Sequence, residues 1–518
     1  MTDAWAVWLA FACALALSAG IERAMTPQPP WRRPWGSWAI QAGVFGLAHG
    51  ALVLLLGRPW FAAAVVWALM LVVVAVNNAK VRALREPFVF ADYEYFTDAI
   101  RHPRLFVPFL GWGNALAIAV GVVAAVALGL WVEPAPAQRW ALSGQLGAVL
   151  GLIAAAALCL AAGARQAVRL SFDPERDLAG LGLVASLWHG AMAARRPQPV
   201  LASPFDEPPL AQSLSHTPDP LWNPPPSLPH LVAVQSESFF DPRPVCAGIR
   251  SDVLAEFDRM AASALMYGAL QVPAWGANTV RSEFAFVSGL DDALLGAHRF
   301  NPYHAVAAGW PVPTLAGFLK RRGYRTVCIH PYPASFYRRD RVYPLLGFDE
   351  FIDIRGFTDA DRCGPFVGDA AVAAKIAEIV ESSSVPVFVF AITMENHGPL
   401  HLEKVAPTDV ADLYSTAPPP GCDDLTIYLR HLRNADRMIG ALRHSLGRSQ
   451  RPASLCWFGD HVPSMPGVYD TLGAPAGPTA FALWSTRESR HTEPVPLAAH
   501  QLAVEWLRAV GLMGEISA

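Results

Sequence analysis

The chain has 518 residues, a length that suits two to four domains. Its hydrophobic fraction is 53% and its charged fraction 16%, below the roughly 25% charged typical of soluble domains, so part of it is expected in a membrane. A net charge of -3 offers no field for nucleic acid. The seven cysteines, scattered without a Cys-x-x-Cys spacing, read as mostly unpaired and define no redox compartment.

Residues 1–165 carry five long apolar runs: Trp5–Gly20, Trp38–Leu56, Trp60–Val76, Phe109–Val132 and Leu142–Ala162. Each is near the length needed to cross roughly 30 Å of hydrocarbon. Trp31, Trp35, Trp38, Trp60, Trp131 and Trp140 cluster at their ends, where interfacial side chains sit. Five transmembrane helices are therefore expected, forming a membrane domain. The first run lacks a basic leader, so it reads as a span rather than a signal peptide. The spans hold almost no charge, which argues against an ion or proton pathway. With five spans and an external C-terminal part, the inside loops hold only Arg58 and Arg139. The outside loops then hold Arg23, Arg32, Arg33, Lys80, Arg82, Arg85, Arg101 and Arg104. The positive-inside rule votes against that orientation. The polar, aromatic stretch from Asn77 to Tyr95 reads as an interfacial amphipathic helix.

Residues 166–229 are a juxtamembrane segment and linker. Eleven prolines between Pro197 and Pro229 exclude a helix there and favour an extended path.

Residues 230–518 lack membrane-length apolar runs. Short apolar stretches at Leu231–Gln235, Thr326–Ile329, Val385–Ile392, Ala453–Phe458 and Thr479–Trp484 read as buried strands. They alternate with candidate helices Val253–Ala264, Thr314–Arg322, Asp369–Glu381, Leu425–Leu446 and Leu497–Val510. That alternation predicts an α/β domain with a mostly parallel central sheet. Open α/β sheets place their chemistry just beyond the carboxyl ends of the strands. Those ends carry Ser236-Glu237-Ser238, then His330, then Thr393-Met-Glu395-Asn-His397, then Asp460-His461. Four strands delivering carboxylate or imidazole to one edge point to a metal site.

The segment Asn278-Thr279-Val-Arg-Ser-Glu283-Phe reads as a loop entering a helix. Thr279 is then either an N-cap with Ser282 or Glu283 as capping-box partner, or a hydroxyl nucleophile placed where the helix dipole favours its ionised form.

With these residues assembled, the C-terminal half resembles the lipoteichoic acid synthase and phosphoglycerol transferase family of the alkaline phosphatase–sulfatase superfamily. The order of membrane helices, linker and sulfatase-like domain is similar too. The resemblance implies that Glu237, Thr279, Asp460 and His461 hold one divalent ion, Mn²⁺ first, with Mg²⁺ or Zn²⁺ as alternatives. It implies Thr279 as nucleophile, and His330, Tyr337, Arg339 and His397 as substrate-binding residues. Tyr337-Arg338-Arg339 stands where the family has Trp-Asn-Arg, which leaves the fine substrate preference open.

The implied donor is phosphatidylglycerol and the acceptor an envelope glycan or polymer. The implied location is a bacterial cytoplasmic membrane, with the catalytic domain facing the periplasm or exterior. A phosphoethanolamine transferase or phosphodiesterase of the same superfamily fits the same residues, as does a membrane-anchored binding protein with a degenerate domain. Cys246-Ala-Gly-Ile-Arg250 is similar to a sulfatase Cys-x-Pro-x-Arg signature. It has Gly at the third position and follows Glu237 too closely, so sulfate-ester hydrolysis is not expected.

Overall fold

A computed structural model describes residues 2–94, 111–133, 144–166, 168–206, 227–490 and 492–514. The chain divides into two compact units, Met1–Pro197 and Gln198–Ala518. The expectations that fall on Tyr95, Arg101, Arg104, Arg139, Trp140 and most of the Pro-rich stretch lie outside the described residues.

In the first unit, four helices among the described residues are long and apolar enough to cross a membrane: Ala4–Glu22, Trp35–Leu56, Pro59–Leu84 and Gln145–Ala164. A further helix, Trp112–Val132, takes the place of the remaining expected span, with Ile118–Trp131 as its shorter apolar part. Small residues let two of the helices close on one another. A Cβ on Gly43 would lie 2.6 Å from the Leu160 Cβ, and one on Gly46 2.6 Å from that of Ala156. Packing through small residues is the usual basis of helix association in lipid.

Among the described residues, the polar stretch after Asn77 begins as a continuation of the membrane helix rather than as a separate one. The apolar helix runs through it to Leu84 and stops at Arg85 in the left-handed region, φ 54. Its polar side chains are spent on the ends of neighbouring segments instead. Asn77 Oδ1 accepts from Phe88 N at 2.9 Å, Asn78 Nδ2 donates to the Ala24 carbonyl at 2.8 Å, and Lys80 bridges Glu86 and Asp92 at 2.7 Å each. Arg33 pairs with Glu22 at 2.7 Å, with both side chains buried, and also donates to Gln41. After the last span the chain continues as two short helices, Pro174–Leu181 and Leu183–Ala194.

The second unit is built on an eight-stranded sheet. Its strands are β1 (His230–Ser236), β2 (Met266–Gln271), β3 (Arg325–Ile329), β4 (Glu350–Ile352), β7 (Val387–Ile392), β8 (Ala453–Gly459), β9 (Thr479–Ser485) and β10 (Leu497–Ala498). A separate hairpin pairs β5 (Arg362–Cys363) with β6 (Phe366–Val367). The sheet order is β10-β2-β9-β8-β1-β7-β3-β4. Strands β8, β1, β7, β3 and β4 are parallel, and β9 runs against both of its neighbours.

The central strands are apolar throughout because both faces are covered. Val232 and Val234 of β1 join the core under helices Asp369–Ser382 and Asp423–Gly447. Leu231 and Ala233 join the core under helices Thr279–Ser288 and Ala499–Ala509. The chain starts the parallel sheet at β1 and later adds β7 on one side and β8 on the other. The crevice at such a reversal is where open α/β sheets bind ligands.

Candidate active site and metal centre

Glu237 leaves the end of β1, and Asp460 and His461 leave the end of its neighbour β8, with Ser236 of β1 opposite Gly459. Gly459 lets the two ends meet, since a Cβ there would collide with the Phe239 carbonyl. The ligand atoms of Glu237, Asp460 and His461 lie within 4.8 Å of one another, and all three residues are buried. Ser238 organises them. Its backbone N–H donates to Asp460 Oδ1 at 2.9 Å, and its hydroxyl donates to Glu237 Oε1 at 2.8 Å. His461 Nδ1 is 3.1 Å from the Val462 carbonyl. That contact puts the ring proton on Nδ1 and leaves Nε2 as a lone pair. Nε2 faces Asp460 Oδ2 at 3.4 Å and Glu237 Oε1 at 3.7 Å. Asp460 Oδ2 is buried without a protein partner.

Lone pairs converging in a buried pocket are unfavourable unless a cation takes them up. Burial, and then the Asp460 charge, push the Glu237 carboxyl up to about 8. The donor set is two carboxylates and one imidazole, which fits a divalent ion of the Mn²⁺, Mg²⁺ or Zn²⁺ group.

Thr279 is the first residue of helix Thr279–Ser288 and is half-buried. Asn278 before it sits in the left-handed region at φ 64. The turn is pinned to the ligand loop from both sides. Gly276 N donates to the Val462 carbonyl at 3.1 Å, and Ser282 Oγ donates to the Asp460 carbonyl at 2.6 Å. Ser282 and Glu283 are therefore not capping partners of Thr279. Ser282 holds the ligand loop and Glu283 faces a different network. The N-cap position belongs to Asn278, which makes no side-chain capping bond.

His330 and Arg339 are placed differently from the expectation of direct substrate contact. Arg339 is 1% exposed and donates to both oxygens of Glu283, at 3.2 Å through Nε and 2.7 Å through Nη2. The hydroxyls of Tyr303 and Tyr343 also donate to Glu283. Arg339 Nη1 reaches His330 Nε2 at 3.1 Å, and His330 Nδ1 is 3.2 Å from the Ile392 carbonyl. Both nitrogens of His330 are thus committed. Burial and the Arg339 charge hold it well below its ordinary range, as a neutral ring. The resemblance implies that Arg339 contacts substrate directly. The fold instead turns Arg339 inward to meet a buried carboxylate, and its charge reaches the site through space, lowering Glu237.

Tyr337, half-buried at φ 54, lies against the Arg339 guanidinium at 5.2 Å. His397 follows β7 and is only partly buried. Its Nδ1 lies 2.6 Å from the Gly398 carbonyl, so Nε2 is the ring nitrogen not engaged with that carbonyl. Burial lowers its pKa, so it is neutral, and the Asp460 charge partly offsets this.

The sequence assigns no site role to Ser238, Ser282, Thr393, Tyr303 or Tyr343. Ser238 adjoins Glu237 and Ser282 lies one turn past Thr279, so hydroxyls close to the named site residues are the available signal. Thr393 Oγ1 accepts from Glu237 N at 3.0 Å, and its place at the end of β7 was a similar signal. The two tyrosines lie on segments with no motif of their own.

The family model described as Sulfatase matches residues 229–503, just over half of the chain. The chain belongs to the sulfatase family. It is 27% identical over 463 residues to the capsular polysaccharide biosynthesis protein RkpI of Rhizobium meliloti, a match covering 83% of this chain and 79% of that protein. A second Rhizobium meliloti protein, named as a candidate for cyclic beta-1,2-glucan modification, is 28% identical over 253 residues. That match covers 49% of this chain and 38% of the other. Among solved structures, the integral membrane lipooligosaccharide phosphoethanolamine transferase A of Neisseria meningitidis superposes with a TM-score of 0.54 at 15% identity. It covers 92% of this chain and 88% of that one. This likeness is one of fold, and it extends over the membrane helices as well as the sheet domain. With four helices among the described residues long and apolar enough to cross a membrane, the chain is a membrane-anchored member of the family.

Proposed function

We propose that the protein is a metal-dependent phosphoglycerol transferase, moving glycerol phosphate from phosphatidylglycerol to an envelope glycan. The observation that carries this reading is the convergence of Glu237, Asp460 and His461, with the Asp460 Oδ2 lone pair unpartnered, on a loop bonded to the turn that begins with Thr279. A divalent ion bound there, with Thr279 as a further ligand, would lower the pKa of a nearby hydroxyl and neutralise phosphate oxygens.

In the first displacement, Thr279 Oγ1 attacks phosphorus. The bond to Thr279 forms, the bond to the diacylglycerol oxygen breaks, and the Thr279 proton passes in net terms to that leaving oxygen. In the second, an acceptor hydroxyl attacks the same phosphorus, the bond to Thr279 Oγ1 breaks, and the acceptor's proton passes in net terms back to Thr279. The partly buried His397, kept neutral, offers Nε2 to a hydroxyl of the glycerol or the acceptor. Tyr337, which lies against the Arg339 guanidinium, is the further substrate-binding side chain of this reading. His330 and Arg339 act behind them as positioning residues. Membrane anchorage keeps the site near its lipid donor. The names of the two Rhizobium meliloti relatives, capsular polysaccharide and cyclic glucan, favour a carbohydrate acceptor. Such an acceptor places the catalytic unit on the periplasmic or external side of the cytoplasmic membrane.

The test is incubation of the full chain with glycerol-labelled phosphatidylglycerol and glycan acceptors. Wild type should release diacylglycerol and label the glycan. Thr279→Ala should lose at least about 1,000-fold in rate, the scale on which loss of a nucleophile acts. A Thr279→Ala protein turning over at the wild-type rate would remove Thr279 as nucleophile. Transfer from phosphatidylethanolamine in place of phosphatidylglycerol would reassign the head group.

A further inference from the structure

A second group of metal-binding side chains lies apart from the centre described above. Cys363 on the β5–β6 hairpin, Glu395 on the loop after β7 and His431 on helix Asp423–Gly447 bring their ligand atoms within 4.8 Å of one another. Glu395 and His431 are buried, at 2% and 1% exposure. His431 Nε2 is held by Glu403 at 3.0 Å, and Glu403 is held in turn by Arg430 at 2.7 Å. A carboxylate on one ring nitrogen orients the other toward an ion. That other nitrogen, Nδ1, is 3.0 Å from Glu395 Oε1. Cys363 is a hydrogen-bond partner of the same ring, and Asn434 Nδ2 touches both Glu395 Oε1 at 2.6 Å and Cys363 Sγ at 3.7 Å.

An independent feature points to a missing positive charge. Asp369 is 1% exposed and its Oδ1 has no partner. Its backbone N–H donates to Glu395 Oε2 at 2.7 Å, and its carboxyl feels the charges of Glu395, His431 and Glu237. Around this cluster stand the carboxylates of Asp369, Glu395, Glu403 and Asp409, with Arg430 as the fixed cation among them. With the His431 ring neutral, as a ligand must be, negative charge is in excess there, and a divalent ion would offset it. A thiolate, an imidazole and a carboxylate together select the borderline-soft ions, zinc before magnesium or manganese.

We infer that Cys363, Glu395 and His431 form a second divalent-cation site of the zinc class, with Asp369 as an adjoining carboxylate. Three segments distant in sequence meet there, so the ion would clamp the hairpin and the β7 loop against the long helix. His397 lies two residues beyond Glu395, and Phe366 of the hairpin packs on its ring at 5.5 Å. The site would therefore fix the pocket wall that carries His397. Its consequence for turnover rests on the reading of His397 given above, whereas its existence does not.

The experiment replaces the bound metal with Co²⁺ in the full-length, detergent-solubilised chain. Cys363 is the one thiol among these ligands, and the Glu237–Asp460–His461 centre has none. The expected result is a thiolate-to-cobalt charge-transfer band that Cys363→Ser abolishes and Asp460→Asn retains. Total divalent-metal content by elemental analysis should fall from two ions per chain to one in His431→Gln. A wild-type chain that takes up Co²⁺ without a thiolate band, or a Cys363→Ser chain that keeps the band, overturns the inference. Either result leaves His431 as an imidazolium between two carboxylates. A measurement on the unaltered chain guards against misfolded variants. Peptide-mapped alkylation of Cys363 should slow at least tenfold with Zn²⁺, and an unchanged rate also overturns the site. If Asp460→Asn keeps both ions while the thiolate band behaves as expected, the first centre fails and the second stands.

Discussion

Glu283→Gln is the sharpest test of how the site is held. Glu283 is 0% exposed and Arg339 1%, so the pair has no solvent to fall back on. The carboxylate accepts two guanidinium bonds and both tyrosine hydroxyls, and the third guanidinium arm holds His330. Glutamine keeps one acceptor but turns an amide N–H toward donors and strips Arg339 of its counter-charge. Breaking one side of a buried ion pair costs about 3–5 kcal/mol. At about 2 °C per kcal/mol for a domain of this size, the melting point should drop by about 6–10 °C. The double variant Glu283→Gln/Arg339→Met removes the stranded charge and should recover part of that loss. Thermal unfolding of the full chain, followed by tryptophan fluorescence, measures all three proteins. A Glu283→Gln protein melting within 1–2 °C (roughly 0.5–1 kcal/mol) of wild type, or a double variant less stable than the single, would refute the ion-pair reasoning.

Asp460→Asn should weaken binding of the divalent ion at least about 100-fold, more than loss of an outer partner costs, and unchanged metal content by elemental analysis would remove Asp460 from the centre. Gly459→Ala forces a methyl into the Phe239 carbonyl, so it should cost about 1–3 kcal/mol and reduce metal binding; a variant with wild-type melting and metal content would contradict the crowding. His230 is 2% exposed, accepts from Val387 N, and is pushed down to about 4 by burial and then by Arg451. A depressed histidine contributes stability above about pH 6.5 that is lost as pH falls toward about 4, at most about 3 kcal/mol. His230→Gln should flatten that part of the stability–pH profile, and an unchanged acid limb would show that His230 is not held neutral.

The strands legible in the sequence are those buried on both faces. β1, β7 and β8 are unbroken apolar runs because helices cover each side. β2 escaped notice because only Leu270 of its six residues is buried and Gly268 interrupts it. β4 and β10, at three and two residues, are too short to show a period. Leu497 and Ala498 read as the start of a helix, yet they pair with β2 before the helix begins at Ala499.

The convergence of Glu237, Asp460 and His461 was legible because strand ends in a parallel sheet share an edge, so position along the chain converts directly into proximity. The inward turn of Arg339 was not legible. Its partners Glu283, Tyr303 and Tyr343 come from three separate segments, and nothing in the sequence marks them as neighbours. Cys363, Glu395 and His431 stayed hidden for the same reason. The orientation vote from the loop charges treated Arg33 and Lys80 as free cations, whereas both are locked against carboxylates within the membrane unit.

The pairing of β1 with β8 also sets an order of events during synthesis. Glu237 emerges more than two hundred residues before Asp460, and no centre exists until β8 has paired alongside β1. Contacts this distant in sequence form late, and a site absent from the unfolded chain ties ion binding to folding. An ion bound at the first centre would therefore be loaded only where the C-terminal segment is delivered and folds. The free ions of that compartment, as much as the ligands themselves, would then determine which metal occupies it.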